Sequence, residues 1–364
     1  MSDVWFQHQG TARDILHSGH VSEVFVPYMD PAESWAFRTY LDAGEFGLGT
    51  LASSLVPGVD CPAQAVYLDS HHLTATARII KKPRTTCAFA APLPGPLWRH
   101  DEALTGLTAG ATGDALVIRA IASVAHYDYM FDWVLGPTGE IDIRIGATGI
   151  DAVKALNGQT NQPLGNRVTP DLIAVFHDHF FSVRLDVDID GPANVLERQS
   201  VVVRDDRQNA LGRSHWTLER ALITEEGPLH STGEGIWRIV SSAGANHFGT
   251  GTGYQLVPEG TVSVLAPDDT PQARAMFSQA PLWITANSPV ERAAAGDFPN
   301  QHPGGAGLPA FSNSEIGDEM DIVLWPTMGF RHVTRPEDWP VLSTVWKSVK
   351  LRPYGFFAQN PSFD

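Results

Sequence analysis

The chain has 364 residues, of which 43% are hydrophobic, and a formal net charge of -16 at pH 7. Its apolar runs are too short to cross a bilayer, and its acidity argues against a nucleic acid or an anionic membrane as partner, because both bind basic surfaces. The N-terminal stretch MSDVWFQHQGTARD has no basic region followed by an apolar core, so we predict no secretory signal and a cytoplasmic protein.

Strand-like segments dominate the chain, and Gly, Pro, Asn or Asp bounds each of them. Helical periodicity is weak, with its best candidates at 31–41 and 270–279. The predicted strands lie at 114–124, 140–149, 180–190, 198–206, 261–267, 281–287 and 320–325. GPTGE at 136–140 predicts a hairpin turn, and 296–309 predicts a long irregular loop. We therefore predict one all-β domain, a large and mostly antiparallel β-sandwich of two sheets packed face to face.

The stretch ASVAHYDYMFDW, residues 122–133, carries an aromatic residue at every second position near its end. Alternate residues of a strand share a face, so one face is predicted to hold the rings of Tyr127, Tyr129, Phe131 and Trp133. The other face is predicted to hold His126, Asp128 and Asp132. A tyrosine between a histidine and a carboxylate is unusual for a strand that only fills a core.

The stretch AVFHDHFFSVRLDVDIDG places two histidines, His177 and His179, on the same strand face as apolar residues. Two imidazoles two residues apart point the same way and can hold one transition metal, such as copper or zinc. If they are buried among apolar side chains, they also need polar partners. A third ligand must come from elsewhere, and His332 in MGFRHVTRPEDWP is one of several candidates.

The opposite face of this strand is acidic. Asp186 and Asp188 offer carboxylates at the same spacing, and oxygen ligands of this kind favour calcium or a similar ion. A solvated acidic face is the better explanation of the pattern by itself. An added carboxylate from Asp321, in DEMDIVLW, would favour the ion.

The chain has two cysteines, Cys61 and Cys87. In a cytosolic protein the default expectation for such a pair is two free thiols. Two cysteines also provide no metal-knuckle spacing.

Eight separated stretches resemble the catalytic domain of the copper-containing amine oxidases, the quinone enzymes that oxidise primary amines. In order, from about residue 20 to the C-terminus, they are SEVFVPYMDP, YLDAGEFGLGTLASSL, HYDYMFDWV, GATGIDAV, HDHFFSVRLDVDIDG, AAGDFPNQ, DIVLWPTMGFRHVTRPEDWPV and GFFAQNPSFD. The resemblance implies the family's catalytic β-sandwich as a single domain over 1–364, without the smaller N-terminal domains of most members. It also implies a homodimer.

The resemblance extends to site residues, position by position. The three copper ligands match His177, His179 and His332. Tyr127 matches the tyrosine that copper and dioxygen convert to topaquinone, and its neighbours in that motif are His126 and Asp128. The catalytic base matches Asp42, the tyrosine that hydrogen-bonds the quinone matches Tyr28, and a gate residue matches Tyr40.

Two further features follow from the same resemblance. A buried calcium-type site matches Asp186, Asp188 and Asp321, with the carbonyl groups of Val187 and Ile322. Cys61 and Cys87 match a disulfide that many members share, which replaces the expectation of free thiols.

The implied activity is the oxidative deamination of a primary amine to an aldehyde, with dioxygen as oxidant and ammonia and hydrogen peroxide as products. No amino-acid side chain accepts two electrons from an amine, so this reaction requires a cofactor such as a quinone. Removal of the α-proton requires a positioned carboxylate, and burial is expected to raise the pKa of Asp42 for that role.

One position departs from the family pattern, because the cofactor motif begins with asparagine and this chain has His126. Three interpretations stay open: a tolerated variant with altered activity, a copper-binding protein with an unmodified Tyr127, or a site used for different chemistry. The presence of every other matched site residue favours an active oxidase.

Overall fold

The computed structural model describes residues 1–8, 10–36, 38–74, 76–156, 163–205, 208, 211–230, 235–262, 265, 268 and 270–363. The first strands in chain order are β1 (Ser2–His8), β2 (Thr11–Val26), β3 (Tyr40–Leu41), β4 (Val66–Leu73), β5 (Ile79–Pro92), β6 (Trp98–Glu102), β7 (Leu107–Ala111), β8 (Asp114–Val124), β9 (Tyr127–Leu135), β10 (Ile141–Gly149) and β11 (Val153–Ala155). They are followed by β12 (Gly165–Thr169), β13 (Leu172–Val175), β14 (His177–Val187), β15 (Asn194–Arg204), β16 (His215–Leu222), β17 (Gly227–Leu229), β18 (Ile236–Ala245), β19 (Gly251–Pro258), β20 (Leu282–Ala286), β21 (Ile322–His332) and β22 (Leu342–Pro353).

Helices are short in the described part of the chain. They are α1 (Glu33–Ala36), α2 (Asp42–Phe46), α3 (Thr270–Arg274) and α4 (Leu308–Phe311), with 3-10 turns at Met276–Gln279, Pro336–Asp338 and Pro361–Phe363. The helix predicted at 270–279 is confirmed as α3 and the 3-10 turn after it. The helix predicted at 31–41 is wrong beyond one turn, because the chain leaves α1 to pair β3 with the end of β2.

Two antiparallel sheets form the body of the domain, as the sequence predicts. A seven-stranded sheet has the order β1-β2-β14-β21-β20-β17, with β3 paired to β2. A ten-stranded sheet has the order β16-β15-β18-β19-β22-β10-β9-β8-β5-β4. Smaller sheets join β11, β13 and β12, and β6 and β7. Side chains from both large sheets meet in one apolar core, so the sandwich interior lies between them.

Most of the predicted strands are confirmed, and the GPTGE turn joins β9 to β10 through a hydrogen bond from Gly136 N to Glu140 O. The segment 296–309 is irregular until α4 begins at Leu308. For the predicted strand 261–267, residues 263, 264, 266 and 267 lie outside the described residues. The described residues Thr261, Val262 and Leu265 are not in a strand, so that prediction is not supported there.

Strand β14 is buried along its whole length. It lies between β2 and β21 in the seven-stranded sheet. One face, which includes Phe181 and Val183, packs in the core between the sheets. The other face, which includes Phe180, is covered by Phe277 and Leu308 from the segment around α3 and α4. Polar groups on this strand are therefore held away from water, including Asp186 on the acidic face, whereas Asp188, one residue beyond the strand, is half-buried.

Cys61 and Cys87 form a disulfide that closes 26 residues of chain. Both residues are buried in a small cluster with Leu55 and Ile121, at one end of the ten-stranded sheet. The disulfide that the resemblance implies is confirmed, and the default expectation of free thiols is wrong. Among the described residues, no helix has the length and apolar character needed to span a membrane.

Candidate metal centre and active-site cavity

The three histidines predicted as copper ligands lie together. The antiparallel register of β14 and β21 sets His177 directly opposite His332, and His179 follows two residues later on the same face. All three are at most 5% exposed. One ring nitrogen from each lies within 4.8 Å of the others, so the sequence prediction of a shared site is supported by geometry.

Hydrogen bonds on the outer side of the rings determine which nitrogen of each is free. His177 Nδ1 lies 2.8 Å from the Val175 carbonyl and donates to it, which leaves a lone pair on Nε2. His332 Nε2 lies 3.2 Å from Asp338 and donates to its carboxylate, which leaves a lone pair on Nδ1. These two free nitrogens face each other at 3.1 Å. Two lone pairs at that distance repel unless a cation or a proton lies between them.

His179 completes the set. Its Nε2 is buried and has no hydrogen-bond partner among the described residues, while its Nδ1 lies 3.3 Å from the Tyr129 hydroxyl. Burial, followed by the charge of His332, lowers the pKa of His177 to about 3, and burial also lowers the pKa of His179 well below its usual value. Neutral imidazoles with converging lone pairs are what a copper or zinc ion requires, so the donor set fits the metal.

Tyr127 reaches this centre from the opposite sheet. It is the first residue of β9, it is 3% exposed, and its hydroxyl lies 2.7 Å from His177 Nε2. The same hydroxyl donates to Asp151 Oδ1 at 2.8 Å. Burial and the neighbouring carboxylate raise the pKa of Tyr127 well above its usual range. The predicted aromatic face is confirmed by the stacked rings of Tyr127 and Tyr129.

His126 is not on the opposite face of the strand, where the period of two placed it. It lies in the turn between β8 and β9, where Val124 pairs with Tyr127 and Ala125 adopts a left-handed φ of 54°. From this turn His126 lines the same cavity as Tyr127, and its Nε2 lies 3.0 Å from the Tyr28 hydroxyl. The strand period fails here because a hairpin turn interrupts the alternation.

A cavity of about 180 Å³ opens beside the Tyr127 ring. The residues that line it include four from the predicted site, namely Tyr28, Tyr40, Asp42 and His126, together with Arg38 and Tyr129. Tyr40 also packs edge-on against Phe46. Asp128 is not among the described residues that line this cavity, and Ser123 Oγ donates a hydrogen bond to its carboxylate.

Asp42 is the first residue of α2 and is 4% exposed. Burial, followed by the charges of Glu23 and Glu45, raises the pKa of Asp42 well above its usual value, as expected for a base. The Glu23 carboxylate accepts hydrogen bonds from the amides of Ala43 at 2.8 Å and Gly44 at 3.2 Å. Glu23 therefore holds the first turn of α2, and with it the backbone that carries Asp42.

Gly44 is required for this arrangement. A Cβ there would lie 2.8 Å from Glu23 Oε2 and 2.5 Å from the ring of Pro299. The approach of Glu23 to α2 is thus possible only without a side chain at residue 44.

A second cluster lies at the far end of β14. Asp186, Asp188 and Asp321 bring carboxylate oxygens within 4.8 Å of one another. Burial, followed by the charges of the other two carboxylates, raises the pKa of Asp188 to about 6. Arg184 pairs with Asp186 at 3.2 Å, and Asp321 Oδ1 is buried with no hydrogen-bond partner among the described residues. The predicted carbonyl donors, Val187 and Ile322, are the last residue of β14 and the first of β21.

Sequence reasoning did not single out three residues of the centre: Glu23, Asp151 and Asp338. Asp151 and Asp338 are within quoted stretches, GATGIDAV and RPEDWPV, but neither has a spacing that marks it as a partner of the histidines. Their roles arise from loops that return to the site after β10 and β21.

Known proteins resemble this chain in sequence and fold. A family model described as the enzyme domain of copper amine oxidase matches residues 1–364. The chain belongs to the copper amine oxidase family. Primary amine oxidase 1 of Arabidopsis thaliana is 35% identical to it, over 96% of this chain and 56% of the relative. Histamine oxidase of Arthrobacter globiformis is also 35% identical, over 98% of this chain and 53% of the relative.

A solved structure shows the same similarity. The copper-containing benzylamine oxidase from Hansenula polymorpha matches this copper amine oxidase domain with a TM-score of 0.91 and 28% identity, over 96% of this chain and 56% of that one. The chain spans about half the length of the curated relatives it matches.

The buried Glu23 generates a prediction on stability. Burial is the main cause that raises the pKa of Glu23 to about 7 from 4.5, so the native state holds this proton more tightly than the unfolded state does. The stability that the protonated Glu23 adds to the native state is fully present below pH 4.5 and is lost as the pH rises through about 7. The free energy of unfolding of the wild type, relative to Glu23→Gln, should therefore fall by about 3 kcal/mol between pH 4.5 and about pH 8.

Denaturant unfolding at a series of pH values measures this difference. The matched control is Glu33→Gln, because Glu33 is exposed and its substitution should leave the pH dependence of the wild type intact. Parallel pH profiles for the wild type and Glu23→Gln would contradict the prediction.

Proposed function

We propose that this domain oxidises a primary amine to an aldehyde, with dioxygen as oxidant and ammonia and hydrogen peroxide as products. The proposal assigns copper to His177, His179 and His332, and topaquinone to a modified Tyr127. The observation that carries it is the convergence of three imidazole lone pairs beside one buried phenol, with the Tyr127 oxygen 2.7 Å from His177 Nε2. The family membership supports the same activity.

When bound, copper would supply one-electron chemistry with dioxygen, and a quinone at residue 127 would supply the electrophilic carbonyl that accepts two electrons from the amine. The protein residues have the remaining tasks. Asp42 lines the cavity next to Tyr127 and is the base that removes the α-proton of the amine. Burial raises the pKa of Asp42, which makes it a better proton acceptor than an exposed aspartate.

The cavity limits what can reach this base. Its volume is about 180 Å³, and aromatic and apolar side chains such as Tyr129, Tyr40 and Val26 form much of its wall. The walls exclude bulk water from the side of Asp42 and hold the substrate amine close to residue 127. Tyr40 stands at the position of the gate residue. The amine itself is not determined, and aromatic amines, polyamines and amines on larger metabolites all stay open.

His126, through its contact with Tyr28, distinguishes this site from the family pattern. Tyr28 is the residue expected to hydrogen-bond the quinone, but here its hydroxyl lies 3.0 Å from His126 Nε2. Burial, followed by the charge of Arg38, lowers the pKa of His126, which favours the neutral ring as this hydroxyl's partner. This contact favours a second candidate function, a copper-binding protein in which Tyr127 stays unmodified.

Copper loading in air separates the two candidates. With the proposed function, purified metal-free protein given Cu(II) and air becomes coloured, reacts with a hydrazine, and shows a mass increase in the peptide that contains Tyr127. Tyr127→Phe is the matched control, because it keeps the ring and the histidines but lacks the phenol, and it should stay colourless. Stoichiometric copper binding together with a Tyr127 peptide of unchanged mass would contradict the oxidase function and support the copper-binding protein.

Replacement of His126 by asparagine tests its effect on Tyr28. His126→Asn removes the 3.0 Å partner and frees the Tyr28 hydroxyl for the ring at residue 127. A net hydrogen bond is worth about 1 kcal/mol, so we expect formation of the coloured cofactor to be about fivefold faster. Absorbance after copper addition measures the rate. The gain should vanish when Tyr28→Phe is already present, and a gain that persists there would show that His126 acts by another route.

As a second part of the proposal, Asp186, Asp188 and Asp321 bind calcium, with the carbonyl groups of Val187 and Ile322. Three carboxylates this close repel one another, and Arg184 offsets only part of the charge. Calcium added to chelator-treated protein should raise Tm, with a stabilisation of about 2.7 kcal/mol at a concentration of 100 Kd. Thermal unfolding measures the shift in Tm. Asp188→Asn should abolish the shift. The control is Asp14→Asn, at an exposed residue near Asp188, which should preserve it. An equal shift in Asp188→Asn would contradict the assignment.

Two expectations from the sequence stay predictions. The homodimer implied by the family resemblance is tested by light scattering of the purified protein. The cytoplasmic location is tested by cell fractionation.

A further inference from the structure

Arg38 places a permanent positive charge in the wall of the cavity beside Tyr127, which is unexpected in a site proposed to bind an amine. It is half-buried and lies between α1 and β3. Its amide donates to the Trp35 carbonyl at 2.9 Å, and its guanidinium carbon lies 4.4 Å from the centre of the Trp35 ring. The proposed reaction gives this cation no task.

Two aromatic rings hold the guanidinium at the cavity. The Trp35 ring under it is 5% exposed and packs against the Tyr28 ring, with 5.6 Å between the ring centres. Next to burial, the charge of Arg38 is the cause that lowers the pKa of His126, which lines the same cavity. A guanidinium that lies over an aromatic face keeps its N–H donors around its edge, in its own plane. Arg38 is therefore placed to donate to a group inside the cavity.

The other titratable side chains that line the cavity, in the described part of the chain, provide at most one negative charge. That charge belongs to Asp42, which must be ionised to act as a base. Burial lowers the pKa of His126 and raises the pKa of Tyr28, Tyr127 and Tyr129, so these groups are neutral at pH 7.

The charge balance of the bound state follows from Arg38 and Asp42. An alkylamine arrives as a cation, since such amines have a pKa of about 10. Together with the two residues it leaves one positive charge in excess in a cavity of about 180 Å³, and a diamine leaves two. An amine that also carries a carboxylate leaves none. Because uncompensated charge in a partly buried site is costly, the amine with a carboxylate is the favoured ligand.

We propose that Arg38 selects substrates in which a primary amine and a carboxylate are joined by an apolar spacer. The inference rests on the proposed function and names the substrate class of the same site. A guanidinium offers two parallel N–H donors that match the two oxygens of a carboxylate. The carboxylate is also the smallest anionic group that can be bound in this way, which suits the small volume of the cavity. The apolar spacer matches the aromatic walls at Tyr40 and Tyr129.

Matched amines test this assignment on the copper-loaded enzyme. The alkyl set is δ-aminovalerate, pentylamine and cadaverine, which share one aminobutyl chain and end in a carboxylate, a methyl and an aminomethyl group. The aromatic pair is para-aminomethylbenzoate and para-methylbenzylamine. Peroxide release gives kcat/KM, at about 0.15 M salt, which screens the long-range field of this acidic chain. In at least one set the wild type should prefer the carboxylate to the methyl compound, on the order of 10–100-fold. No such preference in either set would overturn the inference.

Substitution of Arg38 tests whether this residue causes the preference. In Arg38→Gln the ratio of the two kcat/KM values should fall to about one or below, and cadaverine should gain relative to δ-aminovalerate. The ratio is measured on one preparation, so it does not depend on the fraction of protein that carries the cofactor. A purely structural role of Arg38 would lower both values alike and leave the ratio unchanged, which would overturn the inference. Arg38→Lys keeps the charge without the planar fork and should keep part of the preference.

The matched control is Arg352→Gln. Arg352 is exposed, pairs with Glu140 at 3.2 Å and is not among the described residues that line the cavity. Its substrate ratio should equal that of the wild type. A loss of preference as large as in Arg38→Gln would mean that general surface charge sets the ratio, and would also overturn the inference.

Denaturant unfolding verifies that the variants are folded. Absence of turnover with every amine, together with an unmodified Tyr127, would overturn the proposed function and with it this inference. Equal turnover of the carboxylate and methyl compounds by the wild type would overturn only the role of Arg38.

Discussion

The antiparallel pairing of β14 with β21 is the constraint on which the site depends. It places His177 opposite His332 and leaves His179 on the same face. Because β14 is buried on both sides, these rings cannot be satisfied by water and must find partners inside the protein. A shift of the register by one residue would turn the rings of one strand to the other face of the sheet and separate the three nitrogens.

Burial then shifts the protonation of several titratable groups of the centre. It keeps His177 and His179 neutral, and it raises the pKa of Asp42 and of Tyr127. The same cause raises the pKa of Glu23, which holds the backbone beside Asp42. The site is therefore a region in which charge is costly, and a bound divalent metal would relieve more of that cost than any single hydrogen bond.

Two residues contact tyrosine hydroxyl groups beside the start of β9. His126 occupies the turn before Tyr127 and contacts the Tyr28 hydroxyl, and Asp151 reaches the same phenol from the segment after β10. Both arrive through close backbone approaches at the start of β9, where Ile150 N donates to the His126 carbonyl at 2.8 Å. His126 lies in the turn between β8 and β9 and Asp151 follows β10, so this backbone contact joins the two segments beside Tyr127.

The sequence by itself determined the class of fold, the strands whose alternation is regular, and the histidine pair of β14, because these depend on a period of two within one segment. Through a family resemblance it also indicated His332, Asp42, Tyr28 and the disulfide. It placed His126 on the wrong face, because a two-residue turn breaks the alternation that the prediction assumed. The tertiary structure alone decided that Glu23, Asp151 and Asp338 join the centre. Asp151 and Asp338 lie beside His332, and Glu23 holds the backbone beside Asp42. None of the three is in the same strand or helix as its partner. Packing of the two sheets and the loops after β10 and β21 bring these polar groups within reach of one another.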